Sequence, residues 1–218
     1  SENSSWKSAE SIIKKDGTRK AVVLFHAASA GEFEQLQPIL KKMDRNRFFI
    51  LQSFFSPTIY ESEKNTELAD AVCYHPFDFI WSALLFFRRM TIQYYITTRN
   101  DIWPTHLYIA RSLGIHTALI NANLYRKSHY RYYFLRRFHQ IILGNFDLIL
   151  TGSDRLKKNL THLLPENFTS LVLGTINNNP DADILYGDIQ YIRGKKRGVT
   201  RFDSIGRPAD RYSLYGHT

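Results

Sequence analysis

The stretch that decides the fold reads Val22-Val23-Leu24-Phe25-His26-Ala27-Ala28-Ser29-Ala30-Gly31-Glu32. Its apolar run at 22–25, with β-branched and aromatic side chains, is typical of a strand buried on both faces. Apolar residues at 33, 36, 39 and 40 then have the spacing of a helix face. A turn of small residues at a helix start exposes backbone N–H groups, which favour polar or anionic ligands. Glu32 stands at this turn, either as a helix-capping carboxylate or as a functional group.

The alternation of strand and helix continues along the chain. Further strands are predicted at 48–51, 71–74, 92–97, 117–121, 146–151 and 171–174, and Asp78 is predicted to cap a helix that ends at Arg89. This order predicts an α/β fold with a parallel, doubly wound sheet. Ligands of such sheets bind beyond the carboxyl ends of the strands. The polar groups at 26–32, 53–58, 99–103 and 121–128 are therefore predicted to converge on one cleft.

Composition narrows the class of protein. The chain has 218 residues, of which 44% are hydrophobic, so a sizeable core is expected. A single cysteine, Cys73, excludes a disulfide framework and a cysteine-based metal site. No apolar run has the length of a transmembrane helix, and no signal peptide is recognisable.

The positive charge is concentrated in one part of the chain. The net charge is +9, and the segment 86–140 carries nine basic residues against the single acidic Asp101. These nine are Arg88, Arg89, Arg99, Arg111, Arg126, Lys127, Arg131, Arg136 and Arg137. Such a block predicts a polyanionic partner, which could be anionic lipid, a phosphorylated glycan or nucleic acid, unless it is only a solvated basic face.

Common catalytic motifs are absent, which leaves a carboxylate on a turn as the candidate chemistry. No GxGxxG, phosphate-binding loop, zinc spacing or GxSxG elbow occurs in the sequence. Glu32 is of the right type to accept a proton from a hydroxyl group. Asp101 is a second carboxylate at a strand end, or else the N-cap of the helix near Trp103. Only His26, of the eight histidines, lies in the predicted cleft, and most of the others are interpreted as surface or packing residues.

Cationic and aromatic side chains complete the candidate site. Arg99, Arg126 and Lys127 could hold phosphate or carboxylate groups. Trp103 and the aromatic cluster at 125–134 could stack on sugar rings or lie at a lipid interface, although part of that cluster is expected to be ordinary core packing.

Seven short segments, in order, resemble one family. They are His26-Ala27-Ala28-Ser29-Ala30-Gly31-Glu32, Ser53-Phe54-Phe55-Ser56-Pro57, Tyr74-His75-Pro76-Phe77-Asp78, Asp101-Ile102-Trp103-Pro104, Ile120-Asn121-Ala122-Asn123-Leu124 with Ser128, Phe146-Asp147-Leu148-Ile149-Leu150 with Ser153, and Gly198-Val199-Thr200-Arg201-Phe202-Asp203. As a set they resemble the N-terminal domain of the lipopolysaccharide 3-deoxy-D-manno-octulosonic acid (Kdo) transferases. Four positions depart from the family pattern: Arg99 and Asp101 each replace a glutamate, Thr105 replaces an asparagine and Asn123 replaces an arginine.

The resemblance implies a Rossmann-like parallel sheet with helices on both faces, the N-terminal half of a GT-B fold. It implies inverting, metal-independent transfer of Kdo from CMP-Kdo to a lipid A precursor, with Glu32 as general base, no cofactor and no metal ligand. The predicted cleft and the resemblance together give the expected acceptor-binding residues, which are His26, Ser29, Gly31, Ser53, Ser56, Arg99, Asp101, Trp103, Asn121, Arg126 and Ser128. The expected location is the cytoplasmic face of the inner membrane, on an anionic membrane surface, with no nucleic acid as partner.

The resemblance also implies a domain organisation. Residues 1–20 are expected to be a leader or short helix, 21–175 a Rossmann-like acceptor-binding domain, and 176–218 an insertion and the start of an interdomain linker. A donor domain is not expected within these 218 residues, so the chain alone is expected to be inactive.

Two other functions stay open from the sequence. One is a nucleic-acid-binding module that uses the same arginine and tyrosine residues. The other is a noncatalytic lipid-binding remnant of the transferase fold.

Overall fold

The computed structural model describes residues 2–17, 19–122, 133–151, 155–156, 160 and 172–175. The chain divides into two compact units, Ser1–Thr117 and Ala118–Thr218. The predicted domain limits at 20 and 175 are not tested and stay predictions. No helix within these described stretches combines the length and the apolar character needed to cross a membrane.

The first unit alternates helices and strands. Its elements are α1 (Glu2–Ile12), a π-helical turn (Ile13–Gly17), β1 (Ala21–Ala27), α2 (Ala30–Lys42), β2 (Phe48–Phe54), α3 (Pro57–Glu63), β3 (Ala71–Tyr74), α4 (Ile80–Arg89), β4 (Tyr94–Thr98) and α5 (Pro104–Ser112). The strand β5 (His116–Ala122) begins at the end of the first unit. The predicted strands at 48–51, 71–74 and 92–97 are thus confirmed, with shifts of up to three residues at their ends.

The sheet of the first unit is parallel, with the strand order β3-β2-β1-β4. Register pairs His26 with Ser53 and Phe25 with Ile96, so the carboxyl ends of the strands lie along one edge. Every residue of β2 is buried, as are Val22 to Ala27 of β1. Since successive side chains of a strand point to opposite faces, burial of all of them requires cover on both faces. The predicted doubly covered sheet is therefore confirmed here.

Helix α1 is fastened to the strand at the edge of the sheet. The Trp6 indole Nε1 donates to the Tyr74 carbonyl at 2.9 Å, and the Tyr74 N–H donates to Ser5 Oγ at 3.2 Å. Glu10 pairs with Arg89 at the end of α4, and the hydrogen bond from Lys14, together with this ion pair, lowers the pKa of Glu10. The N-terminal residues thus form a helix that is part of the first unit.

The predicted cap of α4 is wrong. The residue before α4 is Phe79, which provides no side-chain cap. The Asp78 carboxylate instead accepts the backbone N–H groups of Thr105, at 3.4 Å, and His106, at 3.1 Å, in the first turn of α5. Asp78 therefore stabilises the start of a helix that is remote from it in sequence, where a negative charge is favourable.

The second unit contains most of β5, α6 (Tyr133–Leu143), β6 (Leu148–Thr151) and β7 (Val172–Thr175). Strand β6 pairs in parallel with β5 and with β7. The three strands predicted for this part of the chain are present. The helix predicted from about 128 is described only from Tyr133 onward, and most of the helix predicted after Ser153 lies outside the described residues.

Candidate functional site

The carboxyl edge of the sheet in the first unit collects polar side chains from four strands. His26 is the penultimate residue of β1, Ser53 the penultimate residue of β2, and His75 directly follows β3. Asp101 lies three residues after β4. His26, Ser53 and His75 are buried, with 0 to 3% of each residue exposed. Parallel pairing in this register brings the three predicted groups of the first unit to one edge.

These four side chains and His106 form a continuous series of polar contacts, which we call the histidine network. His106 Nδ1, on α5, lies 3.2 Å from His75 Nε2, and His75 Nδ1 lies 3.0 Å from Ser53 Oγ. Ser53 Oγ lies 3.0 Å from His26 Nδ1, and His26 Nε2 lies 2.8 Å from Asp101 Oδ2. The last contact has the distance of an ion pair but not the angle of a well-formed hydrogen bond. The His26 and His75 rings stack with centroids 3.6 Å apart.

Burial keeps His75 and His106 neutral. The pKa of His75 is lowered well below its ordinary value, first by burial and then by the neighbouring His26 and His106 rings. Burial, reinforced by His26, lowers the pKa of His106 to about 3. Tyr95 of β4, whose ring stacks on His75 at 6.0 Å, has a pKa raised well above its ordinary value by burial and then by Asp101 and Asp78. These groups therefore carry no charge near neutral pH.

Asp101 does not cap the helix near Trp103, so that alternative is wrong. Trp103 itself precedes α5, whose first residue is Pro104. The Trp103 indole Nε1 donates to Asp101 Oδ1 at 2.8 Å, while His26 faces Oδ2. Thr97 Oγ1 donates to the Asp101 backbone carbonyl at 2.5 Å. Because 14% of its side chain is exposed, Asp101 is a fixed carboxylate that a ligand can still reach.

Glu32 occupies the third position of α2 and closes the turn that follows β1. Its Oε2 accepts the backbone N–H groups of Ala28, at 2.9 Å, and Ser29, at 3.2 Å. This is the reciprocal half of a capping box, in which a glutamate or glutamine at the third helical position serves the residue before the helix. The capping interpretation is therefore confirmed. The catalytic interpretation of Glu32 stays untested, because the two cap bonds involve only Oε2 and not Oε1.

Aromatic side chains connect the histidine network to the surface. The Trp103 ring lies with its centroid 5.8 Å from His26 and 5.2 Å from His75. Phe55 in turn lies with its ring centroid 5.1 Å from that of Trp103 and 5.6 Å from that of Phe77. Phe55 and Phe77 are exposed, at 37% and 55%. An apolar surface therefore begins at the polar site.

The other predicted site residues lie in varied places. Ser29 and Ser56 precede α2 and α3 as their N-caps, and Gly31 is exposed, with open space where a Cβ would stand. Arg99 is half-buried, with a left-handed φ of 59° in the turn after β4. Asn121 has a φ of 51° and belongs to the second unit. Arg126 and Ser128 lie outside the described residues, so the predicted convergence of all four groups is tested only for the first three.

His75, His106 and Asp78 were not predicted as members of the site. A sequence signal existed for His75, because it directly follows a predicted strand and so belongs to the same edge as His26. His106 faces inward from α5, and its 31-residue separation from His75 leaves no local pattern. Within the stretches the structure describes, no group of three or more histidine, cysteine or acidic residues is arranged to hold a metal ion.

Comparison with known proteins identifies the family. Residues 4–177 match the family model of the 3-deoxy-D-manno-octulosonic-acid transferases (kdotransferases), which covers well over half of the chain. The chain belongs to the kdotransferase family. The predicted membership is thereby confirmed, and with it a transferase of sugar groups as the general class.

A curated relative agrees with the kdotransferase assignment, and a solved structure of another enzyme has a similar fold. A 3-deoxy-D-manno-octulosonic acid transferase of Chlamydia muridarum is 28% identical over 152 residues, which cover 67% of this chain and 35% of the relative. The structure of UDP-N-acetylglucosamine 2-epimerase from Rickettsia bellii is similar with a TM-score of 0.51 at 10% identity, over 81% of this chain and 52% of that one. This likeness bears on the fold alone. It confirms the predicted class, a Rossmann-like α/β sheet of the kind that forms half of a GT-B fold. The chain thus spans about a third of the curated relative and about half of the epimerase.

Proposed function

We propose that this chain is the acceptor-binding half of a glycosyltransferase that moves Kdo from CMP-Kdo to a lipid A precursor. Family membership supports the transferred sugar, and the observation that carries the proposal is the placement of Glu32. Its carboxylate is held by two backbone N–H groups at the same strand edge as Asp101 and His26. Ligands of parallel α/β sheets bind at this edge.

In the proposed reaction, Glu32 acts as general base on an acceptor hydroxyl group. The proton passes to Oε1, the oxygen not used by the two cap bonds, as the hydroxyl oxygen forms a bond to the anomeric carbon of Kdo. The bond from that carbon to the phosphate of CMP breaks, and CMP leaves with the bonding electrons. Attack opposite the leaving group inverts the anomeric centre. The proposal includes no metal and no cofactor, and continued transfer in the presence of EDTA is the corresponding test.

The cap bonds of Glu32 make glutamine the informative replacement. The Glu32→Gln side chain keeps an oxygen that can accept the N–H groups of Ala28 and Ser29, since both Glu and Gln serve a capping box. It cannot accept a proton from the acceptor. We expect kcat of the complete protein to fall by about 10²- to 10⁴-fold while the urea midpoint of unfolding is unchanged.

Glu32→Ala is the matched variant that loses both roles. It should lose activity to the same extent and also about 1 kcal/mol of stability, the usual value of a lost helix cap. Unimpaired Kdo transfer by Glu32→Gln would show that another group is the base. If the wild type and both variants bind the lipid A precursor but none of them transfers Kdo, the protein is instead a noncatalytic lipid-binding protein.

The proposed acceptor is a lipid, and an exposed apolar surface supports a membrane as its source. The α4 surface, as we name it, comprises Phe77, Phe79, Ile80, Trp81 and Leu85, which are 55 to 80% exposed. Trp81, Leu85 and Arg88 follow one another at helical spacing on the outer side of α4, and Arg88 is also exposed. Aromatic side chains with nearby cations are typical of a membrane interface.

The α4 surface continues through Phe55 to Trp103, so a lipid held there would reach the polar site. We therefore propose peripheral attachment to an anionic membrane surface, the cytoplasmic face of the inner membrane.

Co-sedimentation with vesicles of phosphatidylethanolamine and phosphatidylglycerol tests the proposed membrane attachment. Trp81→Ala should weaken binding by about ten- to a hundredfold, because a buried aromatic ring contributes roughly 1.5–3 kcal/mol. Tyr108→Ala, which removes an aromatic residue 65% exposed on α5, is the control and should bind normally. Equal binding by the two variants would exclude the α4 surface as the attachment site.

A further inference from the structure

The histidine network has enough polar contacts to fix where its protons lie. A neutral imidazole has one N–H and one acceptor nitrogen, and a serine hydroxyl has one O–H and can accept as well. Each contact of the network therefore needs one proton supplied from one side. His106 and His75 are buried and neutral, so each of them supplies only one.

The two ends of the network define the direction of donation. Near His106, the Asp78 Oδ1 atom lies 3.7 Å from Nδ1 and favours a proton on that nitrogen. At the other end, Asp101 Oδ2 lies 2.8 Å from His26 Nε2 and favours a proton there. Reversed donation would place the lone pair of His26 Nε2 against the carboxylate, which is repulsive.

One arrangement satisfies both ends with all three rings neutral. His106 Nδ1–H donates to His75 Nε2, His75 Nδ1–H donates to Ser53 Oγ, and Ser53 Oγ–H donates to His26 Nδ1. His26 then presents Nε2–H to Asp101. The competing arrangement turns the Ser53 hydroxyl to the Phe25 carbonyl, at 3.3 Å, and donates His26 Nδ1–H to the Ser53 carbonyl, at 3.2 Å. In that alternative His26 already has a proton on Nδ1. A second proton on Nε2, facing Asp101, would make the His26 ring positively charged.

We infer that His106, His75 and Ser53 are positioning residues, which hold His26 as the neutral Nε2–H tautomer and thereby fix the Asp101 carboxylate in one orientation at the site. The Trp103 indole N–H holds the other oxygen of Asp101, at 2.8 Å, so the carboxylate is held from both sides. This inference rests on the proposed transferase function for the role of Asp101, which is to orient the acceptor beside Glu32. The tautomers themselves do not depend on that function.

The remaining titratable groups around the network are compatible with this arrangement. Asp78 lies at the start of α5 beside His106, and Tyr95 of β4 stacks on His75. The Tyr95 hydroxyl is buried and stays protonated, because burial raises its pKa. The ionisable side chains that face the ends of the network are the carboxylates of Asp78 and Asp101.

Long-range ¹H–¹⁵N NMR of histidine-labelled protein measures the tautomers directly. At pH 7 we expect a proton on Nε2 of His26 and on Nδ1 of His75 and His106, with all three rings neutral. Ser53→Ala removes the central link, so His26 should become a mixture of tautomers or gain a second proton, while His106 keeps its proton on Nδ1. Ser112→Ala, an exposed serine near the end of α5, is the control and should leave all three spectra unchanged.

Activity provides the second measurement. Ser53→Ala should lower kcat for Kdo transfer by about ten- to a hundredfold, the usual cost of a misplaced catalytic group, and shift the acidic limb of the pH profile. A wild-type His26 with Nδ1–H or two protons at pH 7, or a Ser53→Ala variant with unaltered tautomers, overturns the inference. If the tautomers are as expected but Glu32→Gln retains full transfer, the network stands and the proposed base is wrong.

Discussion

Mild acid should unfold this protein through its buried histidines. His106 has no exposed side-chain surface and a pKa lowered to about 3, whereas an unfolded histidine titrates near 6.5. Between these values the unfolded chain binds a proton that the folded chain does not. Stability from this group is therefore complete above the unfolded pKa and is lost as the pH falls below it.

The size of the loss follows from the difference in bound protons. Each pH unit below about 6.5 costs about 1.4 kcal/mol per neutral buried histidine, so His106 accounts for about 2 kcal/mol at pH 5. His75, whose pKa is lowered well below its ordinary value by burial, should add to this loss. A loss of at least about 2 kcal/mol is an appreciable share of the stability of an ordinary domain. With a urea slope of about 2 kcal/mol/M, the unfolding midpoint should fall by at least about 1 M between pH 7 and pH 5.

Urea unfolding at pH 7, 6 and 5 tests this reasoning with two variants. His106→Phe keeps a ring of similar size but cannot titrate, so its midpoint should fall by about 1 M less than that of the wild type over the same range. Leu107→Val alters a fully buried neighbour without a titratable group, so it should lower the midpoint equally at every pH. Equal pH dependence in His106→Phe and the wild type would refute the claim that His106 is buried in the neutral form.

Three further changes test the packing and backbone of the first unit by urea unfolding. Trp6→Ala, at a side chain 4% exposed, should lower the free energy of unfolding by about 3–5 kcal/mol. Trp6→Phe should lower it by about 1–2 kcal/mol, because only the indole hydrogen bond is lost. Equal losses in the two variants would contradict this assignment. Gly114→Ala should cost about 1 kcal/mol because φ is +74°, while Gly31→Ala, at a helical position with open space, should cost nothing. Thr91→Gly should raise stability by up to about 1 kcal/mol, because a β-branched residue there has a φ of 50°, and a loss of stability would show that the threonine side chain compensates for the strain.

The parts of the fold that were predictable are those encoded by local pattern. The runs at 22–25 and 48–51 are apolar at every position because their strands are covered on both faces, and this pattern was read correctly. Proline is also a local signal of a helix start: Pro57 and Pro104 are the first residues of α3 and α5, where the missing N–H costs nothing.

The errors concern side chains whose partners are distant in sequence. Asp78 has a favourable local position for capping α4, yet its carboxylate bonds to α5, 27 and 28 residues away. His75 and His106 were interpreted as surface or packing residues, because nothing near them in sequence indicates that their rings meet. Glu32 was predicted as either a cap or a base, and the structure shows that the cap exists without excluding the base.

The attachment of α1 also has a consequence for solubility. Strand β3 lies at the edge of the sheet, where unpaired backbone groups can recruit a strand from another molecule. Ser5 and Trp6 occupy both the N–H and the carbonyl of Tyr74, so α1 blocks this edge against such pairing. Fragments that begin at residue 20 should therefore aggregate even where their core is intact. Helix α1 therefore covers the edge strand and prevents self-association, in addition to its contribution to the core.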